Sequence, residues 1–400
     1  MQRAFSVLPA ANTQFSFSSL IYWQKAIFNM SDKVKHCSDG SFCFSSGQEF
    51  TLENGRHLRS LTLVYETWGE LDSDRSNAVL VHHALSVGSH ATSHSKNPEP
   101  GWWQDIIGPG KAIDTSIYFV ICINNLGSCF GSSGPLSLNE ETGELYKGDF
   151  PQITIGDMTA SQKILMDELE IDKFYAVIGG SMGAMLSLNW AIEYPDSLTK
   201  LILISTAYKA YPANVANRAI QHQAIRMDPQ WQQGNYESSA ELPGFKLARK
   251  LGLYTYRNSS EWNRRFNSHN NADVKEIDII QYMEYNADKF CNVFDANSYL
   301  ILTHSMDLFN VTETHESGKG CFSKITARTL VVSEESDILF TPQQQEDLHA
   351  ALLEGGVNCR FVVHRSQYGH DAFLVESEPF TKYIGDFLNA RDGDPEPDYI

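Results

Sequence analysis

Short, almost continuous apolar runs recur along the chain, separated by stretches with a helical period. The runs AVLVHHAL (78–85), YFVICIN (118–124), KFYAVIGG (173–180), LTKLILIST (198–206), TLVVSEES (329–336) and RFVVHR (360–365) are rich in β-branched and aromatic residues. Runs of that length and make-up predict strands of a parallel sheet buried on both faces. Between them, DMTASQKILMDELE (157–170) sets Met158, Ile164, Leu165, Met166 and Leu169 at helical spacing, and Ala184 to Ile192 predict a helix that ends before Pro195. The alternation predicts an α/β fold. One gap is too long for a single crossover. Residues 207–325 hold no good strand but carry helical patterns such as VANRAIQHQAI, GFKLARKLGLYTY and DANSYLILTHSMDLF, so a helical insertion capping the sheet is expected.

Both ends depart from this pattern. Residues 1–31 contain Arg3 and Lys25, no acid and many Ser and Phe, and their apolar patch LIYW is too short for a signal-peptide core. Three readings stay open for 1–46: a disordered extension, a start placed too early with Met30 as the first residue, or an organellar transit peptide. The last stretch, ARDGDPEPDYI, reads as a solvated acidic tail.

Composition narrows the class of partner. With 31 Lys and Arg against 49 Asp and Glu, the formal charge of −18 repels nucleic acid and anionic membrane surfaces, so neither is expected as a partner. No apolar run reaches the ~18 residues that cross a bilayer. Seven scattered cysteines show no metal-ligand spacing, which fits reduced thiols in the cytoplasm.

The candidate chemistry sits where one strand meets one helix. Gly179-Gly180-Ser181-Met182-Gly183 matches G-x-S-x-G between a predicted strand and a predicted helix, the context of a nucleophile elbow. Such a turn brings strand and helix so close that a Cβ at the flanking glycines clashes, and it exposes the serine hydroxyl above the sheet. A serine needs a base to take its proton and an acid to orient that base. Asp337 follows one strand and His370 follows the next, in the chain order Ser, acid, His expected of this arrangement. Glu334 and Glu335 are rival acids in the same turn, and Asp337 is preferred because it lies farther into the loop. The oxyanion hole is expected from the N–H groups of Met182 and of Leu85, in the loop HHALSVGSHA. His82 and His83 read as packed, hydrogen-bonded histidines, because no further ligand stands at metal spacing; no metal site is expected. His364, inside a strand, reads as a core or supporting group. The loop NNLGSCFGSSGPLS lacks the G-K-S/T of a phosphate loop and is expected to form a rigid wall of the active site. Residues 246–265 carry Lys246, Arg249, Lys250, Arg257, Arg264 and Arg265 against Glu261 alone; they read either as a site for the phosphates of a ligand or as a solvated helix face.

Taken together, HHALS, GWWQDIIGPGKAIDTSIYFVICINNLGSCFGSSGP, DFPQITIGDM, GGSMGAM, DKFCNVFDANSYLILTHSMDLF and GHDAFL resemble the homoserine O-acyltransferases of the α/β-hydrolase fold, over most of residues 48–390. The resemblance implies a mostly parallel sheet with a helical lid, and transfer of an acetyl or succinyl group from coenzyme A to the hydroxyl of L-homoserine in methionine biosynthesis. It implies Ser181, Asp337 and His370 as the triad, Leu85 and Met182 as oxyanion donors, Arg218 as the ligand of the amino-acid carboxylate and Asp371 as a contact for its amino or hydroxyl group. It also implies acetyl- or succinyl-coenzyme A as co-substrate, no permanently bound cofactor, and a homodimer formed through the lid. Ala184, where many members carry glycine, and SVGSHATS after Leu85 depart from the family pattern. Serine as acceptor, and a plain esterase or thioesterase, stand as alternatives. The expected organisation is an extension over 1–46, core over 47–206, lid over 207–325, core over 326–390 and a tail over 391–400.

Overall fold

The computed structural model describes residues 33–266, 278–314 and 318–391. Nine strands form the main sheet: β1 (Val34–His36), β2 (Phe42–Ser45), β3 (Thr62–Trp68), β4 (Ala78–His82), β5 (Phe119–Ile123), β6 (Phe174–Gly180), β7 (Leu198–Ile204), β8 (Arg328–Glu334) and β9 (Cys359–His364). Their spatial order is β1-β2-β3-β5-β4-β6-β7-β8-β9. Every pair from β5 to β9 is parallel, and β1, β2 and β3 add an antiparallel edge.

All six runs expected to be strands are strands. Three more strands of this sheet lie outside that expectation. β1 and β2 fall within the segment set aside as an extension, so the sheet begins before residue 47; residues 1–32 and 392–400 lie outside the described residues. These strands escape a search for continuous apolar runs because an antiparallel edge buries one face and alternates, as the burial of β3 does.

Strand alternation divides the core in two. Leu80, Val177, Leu201, Leu203 and Val331 face one side, where they meet α1 (Ile155–Glu168) and α2 (Met182–Glu193). Val79, Val81, Ile178, Ile202 and Val332 face the other, against Trp103, Ile107 and the Phe380, Ile384 and Phe387 stripe of α8 (Ser377–Asn389). Each such side chain contributes about 1.5–3 kcal/mol by leaving water, so the central strands are held from both sides.

Between β7 and β8 the chain leaves the sheet for the expected helical insertion. It holds α3 (Pro212–Arg226), α4 (Pro243–Tyr256), α5 (Asp278–Cys291) and α6 (Ala296–Asp307), with shorter turns between them; α7 (Pro342–Glu354) then follows β8. Among the described residues no helix is long and apolar enough to cross a membrane.

Candidate active site

Ser181 joins β6 to α2 with φ 56° and ψ −124°, a backbone region that side-chain-bearing residues rarely occupy. The neighbours leave it no other path. A Cβ at Gly179 would stand 2.2 Å from the Gly183 carbonyl oxygen, and one at Gly183 would stand 2.2 Å from the carbonyl oxygen of His82 in β4. Both glycines are therefore steric necessities of a helix that starts this close to the sheet. The strained turn lifts the Ser181 hydroxyl into a pocket between the sheet and the insertion.

His370, in the loop after β9, meets that hydroxyl. Its Nε2 lies 2.8 Å from Ser181 Oγ and its Nδ1 lies 2.7 Å from Asp337 Oδ2. The other oxygen of Asp337 accepts the N–H groups of Leu339 (2.7 Å) and Phe340 (2.9 Å), which fixes the carboxylate against its own loop. Burial by itself would lower the pKa of His370. The charge and hydrogen bond of Asp337, helped by Asp371, outweigh it and hold the imidazole above its ordinary value. The structure thus brings together Ser181, Asp337 and His370 as the sequence predicts.

The rival acids lie elsewhere. Glu335 is exposed, and Glu334 is fully buried with no hydrogen-bond partner for either oxygen among the described residues. Its pKa is pushed up to about 10, first by burial and then by the Asp337 and Glu376 charges. Glu334 is accordingly a neutral acid packed beneath the triad. Below pH ~4.5 the folded and unfolded chains both carry its proton; from there to about 10 only the folded chain does, so stability falls as pH rises. A difference on the order of 5 kcal/mol is expected at pH 8. Glu334→Gln should therefore leave Tm nearly unchanged at pH 4.5 and raise it by about 6 °C at pH 8. Scanning calorimetry across that range checks this, and a pH-independent offset between the two proteins refutes it.

Leu85 follows β4 and lines the same pocket, while Met182 opens α2; among the described residues neither N–H has a partner in the protein. The loop of Leu85 is braced by His83, whose Nδ1–H donates to the Ala84 carbonyl (2.8 Å) and whose Nε2 accepts the Asn125 N–H (3.0 Å). Burial pushes His83 down to about 4 and His82 to about 3. His82 meets Ser187 (2.9 Å) and Gln162 (2.7 Å), so both histidines are neutral structural groups, as expected. His364 likewise rests between Tyr383 and Glu376.

Arg218 and Asp371 also face the pocket. Arg218 Nε donates to Asp307 Oδ1 at 2.5 Å, and its buried Nη2 has no protein partner among the described residues. Asp371 accepts from Arg257 Nε at 2.9 Å. Burial raises the Asp371 carboxyl, and Arg257, His370 and Arg249 pull it part of the way back.

One expectation needs correction. The loop 124–137 stands beyond β5, one strand away from the elbow, and lines no part of this pocket; Ser132 and Ser133 pin it to β3 by accepting the N–H groups of Val64 and Thr62. Four of the cations in the basic stretch 246–265 are paired. Lys246 pairs with Asp288, Lys250 with Glu284, Arg257 with Asp371 and Arg265 with Glu261. Asn217, Gln221, Tyr256, Tyr299 and Thr303 line the pocket without having been predicted. Asn217, Arg218 and Gln221 share one face of α3, and a polar stripe at helical spacing reads as solvent-facing until the partner of that face is known.

Residues 77–377 match the alpha/beta hydrolase fold family. The homoserine O-acetyltransferase of Moorella thermoacetica is 41% identical over 347 residues, covering 84% of this chain and 92% of that relative. The serine O-succinyltransferase of Litchfieldella anticariensis is 43% identical over 350 residues, covering 84% and 95%. Among solved structures, homoserine O-acetyltransferase from Bacillus anthracis superposes with a TM-score of 0.82 at 28% identity, over 90% of this chain and 99% of that one. Esterase E22 reaches 0.80 at 28% identity, over 87% and 99%.

Proposed function

This chain belongs to the homoserine O-acyltransferase family of the α/β-hydrolase fold, and from that premise we propose that it transfers an acetyl or succinyl group from coenzyme A to the hydroxyl of L-homoserine through an acyl-serine. The single observation that carries the chemistry is the continuous chain Ser181–His370–Asp337, with both hydrogen bonds below 3 Å.

In the first half-reaction His370 Nε2 takes the Ser181 proton as Oγ attacks the thioester carbonyl carbon. The oxyanion that forms is held by the N–H groups of Leu85 and Met182. When the C–S bond breaks, the proton on His370 passes to the departing thiol. In the second, His370 takes the proton of the acceptor hydroxyl, the acceptor oxygen attacks the acyl-serine, and the proton returns to Ser181. Asp337 keeps the Nδ1–H tautomer and offsets the transient imidazolium.

Acceptor recognition follows from the polar groups around His370. Arg218 offers its Nη2 to a carboxylate, and Asp371, held by Arg257, faces an ammonium group. Tyr256 and Phe340 pack against the His370 ring at 5.9 and 5.4 Å and keep water from competing for the acyl-serine. The seven cysteines, all unbridged, support work in the cytoplasm. Ile220, Leu247, Tyr254 and Tyr285 lie exposed on the insertion and support a homodimer formed through it.

Serine is one methylene shorter than homoserine. With its charged ends held by Arg218 and Asp371, its hydroxyl falls short of His370 by about a bond length, a misplacement worth on the order of 10²-fold. Thiol release from acetyl- and succinyl-coenzyme A, measured with homoserine, serine or no acceptor, tests this. Homoserine should be preferred about 100-fold over serine. A preference for serine would move the chain to the activity named for the Litchfieldella anticariensis relative, and equal release without any acceptor would make it a thioesterase.

A further inference from the structure

The loop that follows β4 is held at its far end by a group of ionisable side chains that the proposed mechanism does not use. Glu66 lies in β3 with its side chain only 7% exposed, and three donors converge on its carboxylate. Ser89 Oγ reaches Oε1 at 3.1 Å, while His90 Nδ1 and His94 Nε2 reach Oε2 at 2.8 and 3.0 Å.

The hydrogen bonds on the far sides of the two rings fix their proton states. The backbone N–H groups of Lys96 and Asn97 both point at His94 Nδ1, at 3.3 Å, so that nitrogen carries a lone pair and Nε2 carries the proton given to Glu66. His90 differs. Its Nδ1 faces the Glu66 carboxylate and its Nε2 faces the carbonyl oxygen of Glu99, each at 2.8 Å. A neutral imidazole has one donor and would turn a lone pair towards one of these oxygens, whereas the imidazolium satisfies both. The other groups facing His90 are the Asn97 side-chain amide, 3.4 Å from Nδ1, the edge of the His94 ring, with centroids 5.9 Å apart, and the more distant charge of Asp39.

Glu66, His90 and His94 have the make-up of a metal site, with their ligand atoms within 4.8 Å of one another. The His94 tautomer argues against that use. To bind a cation through Nε2 the ring would have to move its proton to Nδ1, against two backbone N–H donors. The trio is instead a carboxylate between a charged and a neutral imidazole.

What it holds is the segment that carries Leu85 and Ser86 to the pocket. That segment leaves β4 at one end. At the other, Ser89, His90 and His94 fasten it to β3, and Trp102 Nε1 adds a bond to the Gly88 carbonyl at 3.0 Å. We propose that Glu66, His90 and His94 are positioning residues for acyl transfer: a carboxylate–imidazolium clasp that fixes the direction of the Leu85 N–H towards the oxyanion. This rests on the reading of Leu85 as an oxyanion donor.

The proposal has a pH signature. Burial alone would lower the His90 pKa, but the Glu66 and Glu99 acceptors and the Asp39 charge outweigh it and raise the pKa above the ordinary value. As pH rises through that point the ring loses a proton and one of its two anchors, so turnover declines on the alkaline side. His370 gives the opposite limb, because it must be neutral to act as a base. Removing an oxyanion donor outright costs on the order of 10²–10³ in turnover, and loosening one should cost about tenfold.

The test compares wild type with His90→Gln, which keeps a polar side chain but cannot carry the charge. Its turnover should be about tenfold lower at neutral pH, the alkaline decline should disappear, and KM for donor and acceptor should stay within about twofold. An unchanged turnover, or a decline that persists in the variant, overturns the proposal. Carbon-13 NMR of labelled histidines in the wild-type chain decides the proton state independently of activity and of how the variant folds. The His90 ring should be mostly protonated at pH 6.5, where an ordinary histidine is half titrated. A mostly neutral ring overturns the clasp even if transfer proceeds as described above. Absence of any acyl transfer in wild type would instead overturn the functional reading. Saturable binding of Zn²⁺ by calorimetry, lost in His94→Gln, would assign the trio to a cation and refute the proposal.

Discussion

Ser181→Ala and His370→Ala should each lower turnover by a factor on the order of 10⁴ or more, and the double variant should be little worse than either alone. The geometry gives the reason. Oγ, Nε2, Nδ1 and the Asp337 carboxylate form one line of hydrogen bonds, and a serine without its base is no better a nucleophile than a base without its serine. Steady-state thiol release from the acyl donor with homoserine present measures the three proteins. Losses that multiply would show that the two residues act separately. The companion measurement supplies donor alone: the acyl group should accumulate on Ser181, where peptide mass mapping finds it, and on no other residue.

Arg218→Lys carries the second-largest expected effect. KM for homoserine should rise by about 100-fold while the burst of thiol released on acylation of Ser181 stays nearly intact. The Arg218 guanidinium already gives Nε to Asp307, and its Nη2 has no protein partner among the described residues. A lysine ammonium is a single point charge and cannot serve both Asp307 and a ligand carboxylate with the same geometry. Lysine is also the informative replacement. Alanine would leave the largely buried Asp307 without a partner, at a cost of about 3–5 kcal/mol that would blur a binding defect with a folding one. An unchanged KM would reduce Arg218 to a structural ion pair of the insertion.

The sheet and the triad were legible in the sequence for the same physical reason. Strands buried on both faces must be apolar throughout, and an elbow this tight admits only glycine beside the serine, so both leave marks that need no knowledge of their surroundings. Asp337 could be chosen over Glu334 because reach along a loop is itself a sequence property. Less was legible where a residue takes its meaning from a distant partner. Arg257 looked like one of a row of cations until Asp371, far along the chain, came to lie against it. The same blindness hid Glu66, which sits in an alternating strand that no apolar run announces, and it made the 124–137 loop seem adjacent to the elbow when β4 lies between them.

The pocket draws its walls from two parts of the chain. Ser181, His370 and the Leu85 loop are set by the sheet, whereas Asn217, Arg218, Gln221, Tyr256, Tyr299 and Thr303 come from the insertion. The first group is locked by backbone geometry that tolerates almost no change. The second is made of side chains on helices, where one residue can be exchanged for another without moving the reacting atoms. Selection can therefore act on the acceptor while the acylation chemistry stays constant. Relatives named for homoserine and for serine stand at nearly the same identity to this chain. The asymmetry marks the inward faces of α3, α4 and α6, rather than the elbow, as the place to begin when a different amino acid is to be acylated.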